Sequence, residues 1–149
     1  MAISIQDITA YLHREIPLTR AMELSVTGWD GQTVTLSAPL GPNENHADTA
    51  FGGSIASMAF LAGYSLLYLI FQERAFSTRI LIQKSTIEFL RPVDAGLVAT
   101  ACCPPPAELE EMLETMKRKR RARLTIESKV FSGSTLAATQ SGIYVAIVY

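Results

Sequence analysis

The chain has 149 residues, the size of one ordinary domain, and a single core can bury roughly two thirds of its unfolded surface. We therefore expect one domain over residues 1–149. Hydrophobic residues make up 48% and charged residues 18% of the chain, which excludes the composition of a disordered protein. The formal net charge of -1 gives no overall attraction for nucleic acid.

The two cysteines are neighbours in sequence, Cys102 and Cys103. That spacing fits neither a zinc site nor an unstrained disulfide, so a reducing compartment is expected. The segment MAISIQDITAYLHREIP lacks the basic and then apolar regions of a secretory signal. The expectation is a cytoplasmic protein that uses no metal and no cofactor and has no affinity for membranes.

Hydrophobic periodicity in the first third of the chain predicts three segments. Apolar residues at helical spacing indicate a helix over residues 5–16, ended by Pro17. Two extended runs between residues 22 and 38 flank Trp29-Asp30-Gly31, which predicts a hairpin. Residues 41–45 are then typical of a loop.

A long apolar segment follows, from about Gly53 to Arg74. Its uninterrupted apolar part is at the short limit for a membrane span, and the amphipathic strands predicted around it favour a helix buried in a soluble fold. Gly52, Ala56, Ala59 and Gly63 share one face of this helix. Small residues on that face would let a slender ligand approach closely, or they would serve only close packing inside the protein.

After the helix the hydrophobic period changes to two. It predicts a strand that starts near Lys84 and ends at Leu90 or Arg91, and further strands over 97–102, 123–130 and 136–148, with a turn at Gly133. Three prolines at 104–106 end the strand over 97–102, and a short helix is predicted after them over 107–116. An antiparallel sheet wrapped around the long helix satisfies this order, because only enclosure buries that helix on every side. This is an α+β fold of the hotdog type.

Three stretches add a family resemblance: "AFGGS" at the helix start, "IEFLRPVDAG" at a strand end and "ATQSGIYVAIV" in the last strand. With the element order, they resemble the hotdog-fold acyl-thioester enzymes, most closely the YiiD C-terminal thioesterase-like group. The resemblance implies a homodimer or dimer of dimers and acyl groups carried on coenzyme A or acyl carrier protein. Members of the group are described as malonyl-acyl carrier protein decarboxylases that help start fatty-acid synthesis.

The glycine pair Gly52-Gly53 lies where the long helix begins. The first amides of a helix have no partner inside it, and they lie at the positive end of the helix dipole. Such amides can bind the oxygen of a thioester as an oxyanion hole, although a tight turn that requires glycine is the alternative. With the family resemblance, the candidate catalytic residues are the Gly53 amide, the Asn45 carboxamide and the neighbouring Ser54.

Hydrolysis would also require a base or a nucleophile. In two hotdog thioesterase subgroups an aspartate seven residues after the second glycine has that role, and here Phe60 occupies the position. His46 and Asp48 are secondary candidates from the loop. Each has a structural alternative: Asp48 or its neighbour Thr49 as a helix cap, and His46 as a hydrogen-bonding loop residue.

Decarboxylation of a malonyl thioester requires no base, because carbon dioxide leaves once the thioester enolate is stabilised. The sequence therefore favours malonyl-acyl carrier protein decarboxylation over acyl-thioester hydrolysis, with a non-catalytic acyl-thioester-binding protein as a third hypothesis. Candidate residues for substrate binding are Phe51, Gly52, Ser57, Tyr64 and Arg91.

Residues 117–123 hold six of the thirteen basic residues. A solvated surface, helped by Glu114 pairing with Arg118, is one interpretation. A nucleic-acid site is weakly supported, because aromatic residues do not interleave with the cluster. The functional interpretation is a docking surface for coenzyme A phosphates or an acidic acyl carrier protein, through Arg118, Arg120 and Arg121.

Overall fold

The computed structural model describes residues 3–149. Its helices are α1 (Ile5–Glu15), α2 (Pro17–Ala21), α3 (Gly52–Glu73) and α4 (Pro106–Lys119). Its strands are β1 (Ser25–Trp29), β2 (Thr33–Ala38), β3 (Thr78–Phe89), β4 (Leu97–Cys102), β5 (Arg121–Ser132) and β6 (Thr135–Val148). A single 3-10 turn, Gly41–Asn43, lies in the loop before α3.

The six strands form one antiparallel sheet in the order β1-β2-β4-β5-β6-β3. Helix α3 packs along one face of this sheet and contacts β2, β3, β4, β5 and β6. The predicted α+β hotdog arrangement is therefore confirmed. The predicted hairpin is also present, and the Asp30 carboxylate accepts the N–H groups of Gln32 and Thr33 in its turn.

Helix α3 is the centre of the hydrophobic core. The side chains predicted to fill that core, Ile55, Met58, Leu66 and Leu69, are at most 4% exposed. By length and hydropathy alone α3 could cross a bilayer, but 67% of its most apolar window is buried inside the fold. The sheet thus supplies the apolar surroundings that the helix requires.

Close packing explains the small residue at Gly63 on α3. The Tyr144 ring from β6 occupies the space that a Cβ at Gly63 would need. The Tyr144 hydroxyl also donates to the Phe60 carbonyl at 2.8 Å. In the middle of α3 the small-residue face therefore accommodates an aromatic ring of the protein's own sheet.

Several boundaries differ from the sequence-based expectations. Strand β1 begins at Ser25 rather than near Met22, because the short helix α2 occupies residues 17–21. Strand β3 begins at Thr78, six residues before the alternation at Lys84 becomes visible. A bulge between Ile82 and Lys84 shifts the register there, and such a bulge interrupts the period-two pattern on which the prediction depended.

Strand β3 forms one edge of the sheet and is unusually exposed for an apolar strand. Its neighbour in the sheet is β6 alone. Leu81 is 58%, Ile82 38% and Phe89 55% exposed. A long edge strand with apolar side chains is a surface that proteins normally cover.

The contact at Gly63 predicts a large stability cost for a small substitution. Gly63→Ala adds a methyl group against the Tyr144 ring, and overpacking of this kind costs about 1–3 kcal/mol in free energy of unfolding. Gly41→Ala is the matched control, because a Cβ there meets no atom within 4 Å. Urea unfolding of both variants measures the difference, and equal midpoints would contradict the packing at Gly63.

Candidate functional site

The N-terminus of α3 presents two backbone amides without hydrogen-bond partners among residues 3–149. The helix begins at Gly52, and its N-cap residue Phe51 provides no side-chain hydrogen bond. The amides of Ser54 and Ile55 donate to the Phe51 carbonyl at 2.9 and 3.1 Å, so the amides of Gly52 and Gly53 stay free. Free amides at the positive end of a helix favour an anionic or strongly polarised oxygen.

Two phenylalanine rings surround these amides. The Phe51 ring covers the Cα of Gly53 and fills the space of a Cβ there. The Phe89 ring from the end of β3 lies 3.7 Å from the position of a Cβ at Gly52. Phe51 and Phe89 are 57% and 55% exposed, so the rings form an apolar rim that still admits a ligand.

Asn45 organises the loop that precedes α3. Its Oδ1 accepts the N–H groups of Ala47 and Thr49 at 2.7 and 3.2 Å. Its Nδ2 donates to the Thr49 hydroxyl at 2.9 Å and, more weakly, to the Ala50 carbonyl at 3.4 Å. The bond to the Ala50 carbonyl is the longer of the two that Nδ2 donates, so a substrate oxygen could replace the Ala50 carbonyl as its acceptor at the lower cost.

The structural alternatives for the other loop residues are wrong. Neither Asp48 nor Thr49 caps α3, because the N-cap is Phe51. Asp48 instead occupies the left-handed region with φ 59°, where it reverses the chain inside the loop. The His46 side chain is exposed and makes no hydrogen bond within residues 3–149. Catalytic participation of His46 or Asp48 stays a prediction.

An apolar cavity of about 240 Å³ lies beside the middle of α3. Its lining comes from α2 and the residue before it, α3, β3 and β6: Ile16, Leu18, Ser57, Phe60, Leu61, Tyr64, Ile80, Leu81, Ile82 and Tyr144. The lining has no charged side chain. Two of the predicted substrate-binding residues, Ser57 and Tyr64, thus lie at one cavity, about one to three helical turns from Gly52-Gly53.

The tyrosine hydroxyls at this cavity are held neutral. The Tyr64 hydroxyl lies 2.8 Å from the Tyr11 hydroxyl of α1. Burial is the largest cause that raises the pKa of Tyr64, and this hydrogen bond is the second. Burial likewise raises the pKa of Tyr144. Neither group can therefore act as an anionic base near neutral pH, and the cavity is suited to an uncharged chain.

Comparison with known proteins agrees with this architecture. The family model YiiD_C, described as "Putative thioesterase (yiiD_Cterm)", matches residues 5–148. The chain belongs to this family. The family supports the processing of acyl thioesters as the general activity.

Solved structures support the same fold for this YiiD_C chain. A protein of unknown function from Chlorobaculum tepidum is 25% identical with a TM-score of 0.92, over 97% of this chain and 94% of that one. A putative thioesterase from Shewanella oneidensis is 26% identical with a TM-score of 0.88, over 96% of each chain. Mouse thioesterase superfamily member 2, at 13% identity and a TM-score of 0.68 over 96% and 97%, shares the fold alone.

The remaining predicted residues of this YiiD_C chain lie at two places. Arg91 is exposed just after β3, and its backbone N–H donates to the Ala137 carbonyl at 3.1 Å. Arg118 belongs to α4, Arg120 is its C-cap with φ 59°, and Arg121 begins β5. The basic cluster therefore lies at a helix-to-strand junction. The anticipated pair of Glu114 with Arg118 is not formed, because Glu114 bonds Lys117 at 3.2 Å.

Sequence reasoning missed Phe89 as a neighbour of the glycine pair and Tyr11 as a partner of Tyr64. Phe89 was visible as the last apolar position of an alternating strand, but its contact with Gly52 depends on where β3 ends relative to α3. Tyr11 was visible as an apolar position of α1. Its contact with Tyr64 depends on the packing of two helices that lie far apart in sequence.

The hydrogen bonds of Asn45 predict different loop behaviour for two variants. Asn45→Ala removes the acceptor for the Ala47 and Thr49 amides, at roughly 1 kcal/mol per bond, so we expect these amides to exchange about fivefold faster or more. Asn45→Asp keeps both acceptors and should retain their protection. Amide hydrogen exchange by NMR measures this, and equal rates in the two variants would show that Asn45 does not hold the loop.

Proposed function

We propose that this protein is a malonyl-acyl carrier protein decarboxylase that produces acetyl-acyl carrier protein for fatty-acid synthesis. In this reaction the bond between the carboxylate carbon and the α-carbon breaks, and carbon dioxide leaves. The electron pair of that bond moves into the thioester as an enolate. A proton from solvent then adds to the α-carbon.

The pair of free amides at Gly52 and Gly53 is the observation that carries this proposal. Donors placed where negative charge develops lower the barrier, and the loss of one typically costs about 3 kcal/mol. Hydrogen bonds from these amides stabilise the negatively charged enolate oxygen more than they stabilise the neutral thioester oxygen of the substrate. Stabilisation therefore increases along the reaction, as catalysis requires.

The surroundings of the amides also suit decarboxylation. Phe51 and Phe89 form an apolar rim beside the amides, and a malonyl group bound against these rings would lose part of the water that stabilises its carboxylate and opposes its loss. Helix α3 has no carboxylate, histidine, lysine or arginine before Glu73 in its last turn. A reaction that requires no base fits this segment better than one that must activate water.

In this mechanism Asn45 has two roles. Through Oδ1 it orders the loop that leads into Gly52, and through the Nδ2 hydrogen directed at Ala50 it supplies a further donor to the enolate oxygen. To donate to the enolate oxygen, Nδ2 must give up its 3.4 Å hydrogen bond to the Ala50 carbonyl. Ser54 follows Gly53 in sequence and is half-buried, and in this proposal its hydroxyl orients the malonyl carboxylate.

Purified protein and malonyl-acyl carrier protein test the proposal. We expect acetyl-acyl carrier protein as the product without free thiol, and a fall of roughly 100-fold in rate for both Asn45→Ala and Asn45→Asp. Asn45→Asp keeps the loop acceptors, so a loss of rate in that variant does not come from the loss of those loop hydrogen bonds. Mass spectrometry of the carrier protein, with thiol detection alongside, distinguishes the products. Free thiol as the main product, or full activity in Asn45→Asp, would overturn the proposal.

Hydrolysis of a longer acyl thioester is the second candidate, and the apolar cavity favours it. A volume of about 240 Å³ far exceeds what a malonyl group fills and suits an alkyl chain. In that reaction His46 or Asp48 from the loop would have to activate water, because the helix offers no base at Phe60.

The cavity predicts how substrate length and a filling mutation interact. Ser57→Phe places a ring in the cavity, so a thioesterase should lose roughly tenfold or more of its rate on octanoyl-coenzyme A and keep its rate on acetyl-coenzyme A. Acetyl-coenzyme A is the internal control for folding. Unchanged hydrolysis of octanoyl-coenzyme A by Ser57→Phe would show that the cavity does not hold the acyl chain. If the wild type catalyses neither decarboxylation nor hydrolysis, a non-catalytic binding protein is favoured.

A further inference from the structure

The outer face of the sheet, which points away from α3, combines basic and apolar side chains at one end. The Tyr144 ring of β6 points toward α3 and meets Gly63, so Val145 and Ile147 point outward. Their cross-strand partners share that face. The pairs form one row of Arg79, Ile147 and Arg121 and a second row of Leu81, Val145 and Arg123. Apolar side chains thus lie beside arginines in both rows.

Residues next to these rows extend the same surface. Lys119 ends α4 and Arg120 is its C-cap, and Lys119 lines a groove of about 280 Å³ together with Arg121 and Arg123. The centroid of the Tyr149 ring lies 5.1 Å from the Arg79 guanidinium carbon, and Tyr149 is 70% exposed. We call the two rows, together with Lys119, Arg120 and Tyr149, the outer basic surface.

The positive charge of this surface is not neutralised within residues 3–149. Neither its arginines nor Lys119 form an ion pair there. Glu108 and Glu111 line a neighbouring groove with Arg123, but they form no ion pair with it. Glu127 is on the outer face, four residues or roughly 13 Å along β5 from Arg123. The surface is therefore locally cationic, although the chain as a whole has a net charge of -1.

The mixture of groups on this surface narrows the choice of partner. A second copy of the chain on the same face would bring like charges together, which is unfavourable. Single-stranded nucleic acid is bound by several stacking rings, and this surface offers only the Tyr149 ring. The interface of an anionic bilayer accepts both kinds of group, because phosphates pair with basic side chains while tyrosine and aliphatic side chains lie at the boundary with the acyl chains. An acidic protein accounts for the charge, whereas a bilayer accounts for the charge and the apolar side chains together.

We propose that the outer basic surface attaches the protein peripherally to anionic phospholipid bilayers. Near such a bilayer each lysine or arginine raises binding about fivefold, so Lys119 and the four arginines together favour an anionic over a neutral bilayer by roughly a thousandfold. The apolar side chains and the Tyr149 ring add to binding as they leave water. Helix α3 takes no part, because most of its apolar length is buried inside the fold.

This attachment departs from the sequence-based expectation of no affinity for membranes. The residues that form the surface, 79–81, 119–123 and 145–149, are distant in sequence and meet only because β3, β6 and β5 are neighbours in the sheet. The attachment is also independent of the reaction at the Gly52-Gly53 amides, so it can fail while the proposed function holds.

Sedimentation with sucrose-loaded vesicles tests the attachment. The vesicles contain either equal parts of phosphatidylglycerol and phosphatidylcholine or phosphatidylcholine alone. At an ionic strength of about 0.15 M, where the Debye length is about 8 Å, we expect the wild type to bind the anionic vesicles roughly a hundredfold or more tighter. Added salt should weaken this binding further. Equal binding to the two kinds of vesicle, or no binding to either, would overturn the proposal.

Charge-reversal variants locate the surface that binds. Arg121→Glu changes the local charge by two units, so we expect roughly 25-fold weaker binding to the anionic vesicles. Lys129→Glu is the matched control, because Lys129 is exposed on the same strand and face, eight residues or roughly 26 Å from Arg121. Its binding should stay within about twofold of the wild type, since that distance exceeds the Debye length. Equal losses in the two variants would show that only the overall charge matters and would contradict the assignment.

Tyr149→Ser separates a bilayer from a purely ionic partner. Loss of the ring should weaken vesicle binding roughly fivefold, and unchanged binding would show that the apolar groups stay outside the bilayer. Fluorescently labelled acyl carrier protein and a DNA duplex are tested in parallel. Binding of either one that is lost in Arg121→Glu, without any vesicle binding, would assign the surface to that partner and overturn the proposal. Urea unfolding midpoints equal to that of the wild type establish that the variants fold.

Discussion

The enclosure of α3 is the constraint on which the rest of the structure depends. The helix is apolar on almost all sides, and Leu66, Leu69 and Met58 have no solvent exposure. Such a helix must be covered, and five of the six strands of the antiparallel sheet contact it. This burial depends on the strand order, on the hairpin of β1 and β2, and on α1, which covers part of the helix.

The N-cap residue of α3 determines which backbone amides stay free where the helix begins. A polar N-cap such as Ser or Asp would satisfy the first amides of the helix, but Phe51 occupies the N-cap here. The amides of Gly52 and Gly53 therefore stay free beside two phenylalanine rings. Once a bound substrate excludes water from these rings, such hydrogen-bond donors act on an oxygen more strongly than they would in water.

Much of the architecture is predictable from the sequence, because it follows from periodicity. The period of α3 identified the buried positions Ile55 and Leu66, and the period of two identified β5 and β6. The start of β3 was not predictable, since the bulge after Ile82 interrupts the alternation. The length of α4 was underestimated for a related reason, because its last turn is entirely basic and carries no apolar marker after Met116.

The candidate site was less predictable, because it depends on hydrogen bonds within a loop. The sequence predicts Asn45 and the glycine pair as candidates, but it does not predict the two acceptor bonds that fix Asn45 in place. The left-handed turn at Asp48 follows from the chain reversal between Asn45 and Ala50, which no periodic pattern encodes. Likewise, the exposure of Leu81 and Phe89 on the edge of the sheet depends on strand order rather than on composition.

We propose that the Gly52 and Gly53 amides bind the thioester oxygen as charge develops on it. An NMR titration with a stable malonyl thioester analogue that carries an anionic oxygen at the carbonyl position tests this claim directly. We expect the amide protons of Gly52 and Gly53 to shift downfield on binding and to exchange more slowly with solvent. Binding of the analogue with both amide signals unchanged would contradict it.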